Sequence, residues 1–368
     1  MVGTLSLLFA CLYMSLSLWV RYMVRRPWAR GEQTDTPLVS IIIAGRNEAE
    51  ELPGCLDSLM QLQYPAEKLE ILLVDDASYD GSLALLQAFA EGKHHVTVMA
   101  LERQAKELSG KAGAVLQAIE KSNGEFIFIT DADCRVPARW IETHLTYFTA
   151  EVGMVGGLTL LRRRHGKTTC LDRVQSLDWL FLQLISSACA HAGKPLSWMG
   201  NNMAFRRSAY DAVGGYRKLN YSLIEDFSLL NAISRKTSWR VVLHTDQAAI
   251  VQSRPEKTLK QLYQQRRRWA LGIQPVRLLG KMLMAITYCI RMLVWLCVAL
   301  LHPAGWIALA GLALGDGLIL SSRPVLSARE LFRSAPGFEL FYFLFVLLMP
   351  PALWLDKTII WKDDVYAY

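Results

Sequence analysis

The sequence has cysteines but no cysteine pairing. Cys11, Cys55, Cys134, Cys170, Cys189, Cys289 and Cys297 form no CxxC, and Cys11, Cys289 and Cys297 lie inside apolar runs. A disulfide framework and a zinc site are therefore not expected, and a reducing compartment fits. No zinc-finger, basic-zipper or ribonucleoprotein signature is present, so the formal net charge of +7 does not point to nucleic acid. Repeats and low-complexity tracts are also missing from the central region. The first apolar run, 5–20, lacks the charge order of a signal peptide, because Arg21, Arg25, Arg26 and Arg30 follow it. It reads as an uncleaved anchor whose arginines hold the following chain in the cytosol.

What is there is oil and charge kept apart. Hydrophobic residues make up 52% of the chain and charged residues 20%, with a mean hydropathy of +0.20. A polar domain must therefore coexist with concentrated apolar segments. Three more such runs, 282–301, 304–320 and 338–355, approach the length of about 20 residues that spans a bilayer. His302 and Pro303 break the first two into a hairpin. Arg323, Arg329 and Arg333 should face the cytosol, and counting crossings then puts the tail, with Asp356, Asp363 and Asp364, outside. Pro350-Pro351 interrupts the last run, which either crosses or re-enters. Arg291 and Asp316 lie at similar distances from the hairpin turn, so they either pair, line an acceptor cavity, or Arg291 snorkels to the interface. The 11 tryptophans fit interfacial anchoring.

Between the apolar ends the pattern alternates. Short apolar runs at 39–44, 69–74, 96–101 and 126–130 are separated by helical segments, the first carrying Leu52, Cys55, Leu56 and Leu59. Buried strands alternating with helices predict an α/β fold with a mostly parallel sheet covered on both faces. Ligands of such sheets bind at the carboxyl ends of the strands. Residues 31–37 read as a linker from the anchor.

The unusual polar residues fall at those strand ends. The first run leads into Gly45, Arg46, Asn47 and Glu48, and the second into Asp75 and Asp76. Carboxylates there can bind a base or ribose, or simply cap helices. Asp131-Ala132-Asp133 follows the fourth run, and two carboxylates so placed can hold Mg²⁺ or Mn²⁺ together with substrate phosphates. Lys111 opens a helix whose amides favour anions, and is either a donor contact or a solvated lysine. Asn201 and Asn202 are candidate sugar or acceptor contacts, followed by Gly214-Gly215. Glu225-Asp226 opens a helix, where acids either answer the helix dipole or serve as a general base. The basic segment 257–281 contains Gln265-Arg266-Arg267-Arg268-Trp269 and reads as an amphipathic interfacial helix.

The order of these pieces resembles the family 2 glycosyltransferases, in the membrane-bound branch with ceramide glucosyltransferase and the cellulose and hyaluronan synthases. The resemblance covers roughly 37–272 and rests on Asp75-Asp76, Lys111, Asp131-Ala132-Asp133, Glu225-Asp226 and the QxxRW pattern of Gln265 to Trp269. It implies a GT-A fold and a displacement with inversion at the anomeric carbon. It further implies Asp75 and Asp76 on the nucleotide base and ribose, and Lys111 on the donor. Asp131 and Asp133 become metal and diphosphate ligands, with Asp133 the direct metal ligand, and Asp226 the catalytic base beside Glu225. Gln265, Arg268 and Trp269 become the contacts to the diphosphate and the acceptor end.

The expected organisation is an anchor at 1–24, a cytosolic GT-A domain at 37–256, the interfacial region at 257–281, about three membrane helices within 282–356, and a tail at 357–368. The expected function is transfer of one sugar from a nucleotide sugar, UDP-linked by preference, to a lipid of the cytoplasmic membrane, with Mg²⁺ or Mn²⁺ as cofactor. A processive polysaccharide synthase, a polyprenyl-phosphate glycosyltransferase and a catalytically inactive scaffold or nucleotide-sugar sensor are the alternatives.

Overall fold

The computed structural model describes residues 2–31, 35–102, 110–163, 166–219, 224–272, 278–355, 358–361 and 364–367. The chain opens with α1 (Val2–Arg25), then β1 (Val39–Gly45), α2 (Leu52–Leu59), β2 (Leu69–Asp76), α3 (Ser82–Ala90), β3 (Val96–Leu101), α4 (Gly110–Lys121), β4 (Phe126–Asp131) and α5 (Trp140–Leu145). Next come β5 (Val152–Gly156), β6 (Thr159–Leu161), α6 (Cys170–His191), β7 (Met203–Arg206), α7 (Arg207–Ala212), α8 (Gly215–Lys218), α9 (Glu225–Lys236), β8 (Arg240–Leu243) and β9 (Val251–Ser253). It closes with α10 (Leu259–Gly272), α11 (Leu278–Ala299), α12 (Pro303–Leu320), α13 (Ala328–Leu355), β10 (Thr358–Trp361) and β11 (Asp364–Ala367). Two compact units result: Trp28–Leu160 with Gly193–Arg254, and Met1–Pro27 with Leu161–Ala192 and Pro255–Tyr368.

The first unit is built on a seven-stranded sheet in the order β3-β2-β1-β4-β7-β5-β8. The pairs β1–β2, β2–β3, β1–β4 and β5–β8 are parallel, and β7 runs antiparallel to β4 and β5. Val39, Ile41, Ile42, Ile43, Phe128 and Ile129 are all within 2% of full burial, so apolar residues on both faces of β1 and β4 are covered. That explains why these strands show no alternation in sequence. The chain leaves β1 toward β2 and β3 on one side and returns to β4 on the other, which makes the β1/β4 boundary the topological switch point. Register finishes the placement. Gly45 pairs with Asp75, and Ala44 with Asp131, so three strand ends form one row. Gly45 is needed there, because a Cβ would stand 2.7 Å from the Ala132 Cβ.

In the second unit, four helices among the described residues are long and apolar enough to cross a membrane: Val2–Arg25, Gly280–Ala299, Pro303–Leu320 and Ala328–Met349. α1 and α12 run parallel in close contact, with Ala10 beside Gly311, and Ser17 beside Gly315. Small residues let the backbones approach, as expected where no water drives helices together. At their carboxyl ends Arg21 donates to the Leu318 carbonyl (3.0 Å) and Arg323 to the Val24 carbonyl (2.8 Å), so cations answer the terminal carbonyls.

Three features depart from the sequence-based expectations. Pro350-Pro351 does not interrupt the last helix, which continues to Leu355; in an apolar setting the remaining intrahelical bonds outweigh two missing donors. The tail forms a hairpin of β10 and β11, and β10 packs against α10, which is not the separation expected from counting crossings. Asp356 and Asp363 lie outside the described residues. Finally, Arg266 and Arg267 on α10 are 3% and 0% exposed, so these charges of the basic segment turn inward and are not presented to lipid headgroups.

Arg291 and Asp316 do pair, at 2.5 Å, and Arg291 is fully buried. Two further partners went unforeseen. Glu339 accepts from Arg291 Nη1 at 2.8 Å, and Tyr13 accepts from Nη2 at 3.2 Å while donating to Asp316. One guanidinium thus joins α1, α11, α12 and α13. Removing one partner of a buried pair leaves an uncompensated charge, which costs about 3–5 kcal/mol. Arg291→Ala should therefore lower the thermal unfolding midpoint of detergent-purified protein sharply, and adding Asp316→Ala should recover part of the loss. Equal midpoints for the wild type and both variants would contradict the interlock.

Candidate active site

The acids at the strand ends of the α/β unit do not stand alone. The row of strand ends brings the Asp131–Asp133 turn beside β1. Donor atoms of Asp131, Asp133 and Cys134 all lie within 4.8 Å of one another. Lys111, at the start of α4, makes an ion pair with Asp131 and reaches Glu225 at 3.5 Å. Burial by itself would lower the Lys111 pKa, but Asp131, Glu225 and Asp226 reverse this and raise it, so the ammonium stays charged. One lysine therefore ties the start of α4 to the end of β4 and the start of α9.

Asp133 has its own cation. A bridge between Arg135 and Gln252 brings β9 alongside the turn. It carries Arg254 to 3.5 Å from Asp133 and 3.4 Å from Glu48. The Asp133 carboxyl is still pushed up to about 6, first by burial and then by the charges of Asp131 and Glu48, with Arg254 opposing. Among the described residues, burial and the charges of Asp131 and Glu48 outweigh Arg254 at Asp133, and such a carboxyl cluster fits a divalent cation.

Asp75 is 3% exposed. Its Oδ2 accepts from the Ser78 amide at 3.1 Å, whereas Oδ1 is buried with no hydrogen-bond partner among the described residues. Asp76 is also buried. The loops after β1 and β2 are laced together: Asn47 N–H donates to Ser78 Oγ, Tyr79 N–H to Asn47 Oδ1, and Glu48 N–H to Ser82 Oγ, each at 3.0 Å. Asn47 and Ala77 take positive φ, 54° and 56°, to make these turns. A small cavity at this end is lined by Gly45, Glu48, Asp75, Ser82 and Ala132 among others.

Asp226 opens α9, and its Oδ1 accepts from the Phe227 amide at 2.7 Å. Its carboxyl is pushed up to about 7, by burial first and the neighbouring Glu225 second, with Lys111 and the Phe227 and Gly200 amides opposing. Gly200 lies directly against it: a Cβ at that position would stand 2.5 Å from Asp226 Oδ2. The sequence shows this glycine but not what it faces.

Asn202 requires a correction. It is fully buried. Its Oδ1 accepts from Trp140 Nε1 at 2.8 Å, and its Nδ2 donates to the Leu158 and Ala249 carbonyls at 2.7 and 2.9 Å. The side chain is spent on the fold and is no acceptor contact. Asn201 is 5% exposed and accepts from Thr159 through Oδ1 at 2.8 Å.

Gln265, Arg268 and Trp269 are half-buried on α10, in the helical unit. Arg254 escaped sequence reasoning, because one arginine before a proline carries no pattern.

A β-monoglucosyldiacylglycerol synthase from Trichormus variabilis is 29% identical over 252 residues, covering 67% of this chain and 51% of that protein. A poly-β-1,6-N-acetyl-D-glucosamine synthase from Staphylococcus epidermidis is 25% identical over 286 residues, 72% of this chain and 64% of that protein. The chain thus spans about half to two thirds of the length of these relatives. Among solved structures, mannosyltransferase PcManGT from Pyrobaculum calidifontis in complex with GDP-Man and Mn²⁺ superposes with a TM-score of 0.63 at 18% identity, covering 97% of this chain and 100% of that one. That likeness shows the fold, which is of the GT-A type. The sequence profile of glycosyl transferase family 21 matches residues 2–367, so nearly the whole sequence is accounted for, and the chain belongs to that family.

Proposed function

We propose that the chain is an inverting glycosyltransferase that moves a single sugar from a nucleotide-sugar donor to a membrane lipid. The observation that carries this reading is Asp226, a carboxyl pushed up to about 7 and held beside Lys111 and the acid turn. An acceptor hydroxyl is a poor nucleophile near neutral pH and needs a base within reach. In the proposed step the hydroxyl oxygen attacks the anomeric carbon, its proton passes to Asp226, and the bond to the diphosphate breaks. One base suffices for a single displacement, whereas a double displacement needs a nucleophile as well.

Asp75 and Asp76 take the base and ribose, with the unpartnered Asp75 Oδ1 offered to the donor. Lys111, Gln265 and Arg268 take the diphosphate. Asp133, with Asp131, would hold Mg²⁺ or Mn²⁺, which supplies neutralisation of the leaving diphosphate; the donor set and its residual negative charge support this. Glu225 and Trp269 are left for the acceptor. A UDP-sugar and a diacylglycerol-like lipid are favoured by the similarity to the monoglucosyldiacylglycerol synthase. Arg21, Arg25 and Arg26 at the carboxyl end of α1 and Arg323 after α12 support a cytoplasmic membrane with the catalytic domain, 37–256, in the cytosol. Similarity to the polysaccharide synthase keeps a processive reading in view, and a ladder of products would identify it.

Asp226→Asn should lower transfer by about 10²–10⁴-fold, the usual contribution of a general base, while nucleotide binding survives. Unchanged turnover would remove Asp226 from the role. A base must be ionised, and this carboxyl is neutral below its pKa, so kcat/KM should fall on the acid side with a midpoint near 7. A flat profile from pH 5 to 8 would speak against it. Gly200→Ala, which forces the Asp226 carboxylate aside, should reduce kcat and leave the donor Kd nearly unchanged, as read by calorimetry.

A further inference from the structure

α6 was not distinguished in the sequence, yet two of its side chains meet the Gln265–Trp269 motif and a third reaches it through Glu256. Gln175 clamps the backbone of Glu256, donating to its carbonyl at 3.1 Å and accepting from its amide at 2.9 Å. The Glu256 carboxylate then accepts from Gln265 Nε2 at 2.8 Å. Asp178 meets Arg266 at 2.5 Å, with side chains 5% and 3% exposed. Trp179 stands edge-to-face against Trp269 with centroids 4.9 Å apart, and the Arg266 guanidinium carbon lies 4.3 Å from the Trp269 ring centroid.

The spacing is not accidental to the helix. Positions 175, 178 and 179 are i, i+3 and i+4, so they share one face of α6. All three are buried. A buried ion pair is weak evidence for stability, since apolar residues of similar volume often serve as well. What an apolar pair cannot do is hold a charged, planar guanidinium over an indole. Asp178 supplies the counter-charge that lets Arg266 sit there.

We infer that Gln175, Asp178 and Trp179 form a positioning platform for the Gln265–Trp269 motif, in which Asp178 acts through Arg266 to fix the Trp269 indole for the acceptor lipid. The acceptor part rests on the reading of Trp269 proposed above. Asp178 touches no reacting atom and is a positioning residue.

The test uses full-length detergent-purified protein and two readouts. The first is the circular-dichroism exciton couplet of the Trp179–Trp269 pair, defined as the difference between the wild type and Trp269→Phe. The second is the KM for lipid acceptor against that for donor. Asp178→Asn should lose the couplet and raise the acceptor KM by about tenfold or more, the scale of a lost desolvated cation–π contact, with the donor KM unchanged. Asp178→Glu should retain most of both. The apolar pair Asp178→Leu/Arg266→Met should restore the unfolding midpoint but neither readout. Recovery of both readouts in that pair would reduce Asp178 to a packing role and overturn the inference. So would an intact couplet in Asp178→Asn. If the wild type transfers no sugar to any lipid, the functional reading fails, and the couplet still decides the positioning claim.

Discussion

Crowding of negative charge at one end of a parallel sheet is the constraint on which the site depends. Asp131 repels Asp133 and Glu225 repels Asp226, and all four are only partly exposed to water. Lys111 makes this arrangement tolerable on one side by binding Asp131 and Glu225, and Arg254 does so on the other by binding Asp133 and Glu48. The balance is incomplete by design of the chemistry. Asp133 remains pushed up to about 6 and Asp226 to about 7, so both stay poised to take a cation or a proton. Elsewhere the fold serves this placement: the matched ends of β1, β2 and β4 bring Gly45, Asp75 and Asp131 into one row, and Gly45 and Gly200 leave room for Ala132 and Asp226.

A similar logic governs the helical unit on a smaller scale. Arg291 is too costly to bury without partners, and it finds them on three other helices. Arg266 finds Asp178. The Arg291 guanidinium fixes the mutual position of four helices, because its planar fork accepts few geometries, and the Arg266 guanidinium links α10 to α6. In the second case what is fixed includes a residue of the QxxRW motif.

Much of this was legible from residues alone, for identifiable reasons. β1, β2 and β4 were visible because strands covered on both faces read as unbroken apolar runs, and the acids follow where those runs end. The Arg291–Asp316 pair was one of three readings open for two charges in apolar runs at equal distance from a turn, and packing selected it. The rest depended on long-range packing. Arg254 gained its role only through the Arg135–Gln252 bridge, and Asn202 lost one because Trp140, Leu158 and Ala249 converge on it. α6 did leave a trace, a Thr169–Asp172 capping box followed by Val174, Leu177, Phe181 and Leu184 at helical spacing. Its contribution to α10 leaves none, since the two helices are far apart in sequence.

The proposed reaction is a single displacement onto a lipid. It is tested most directly by incubating detergent-purified protein with UDP- and GDP-sugars, a divalent cation and a membrane-lipid extract, and determining the anomeric configuration of the lipid product by NMR. Such a displacement gives lipid-stimulated release of one nucleotide and one glycolipid whose anomeric centre is inverted relative to the donor. A product with retained configuration, or donor consumption indifferent to lipid, would contradict it.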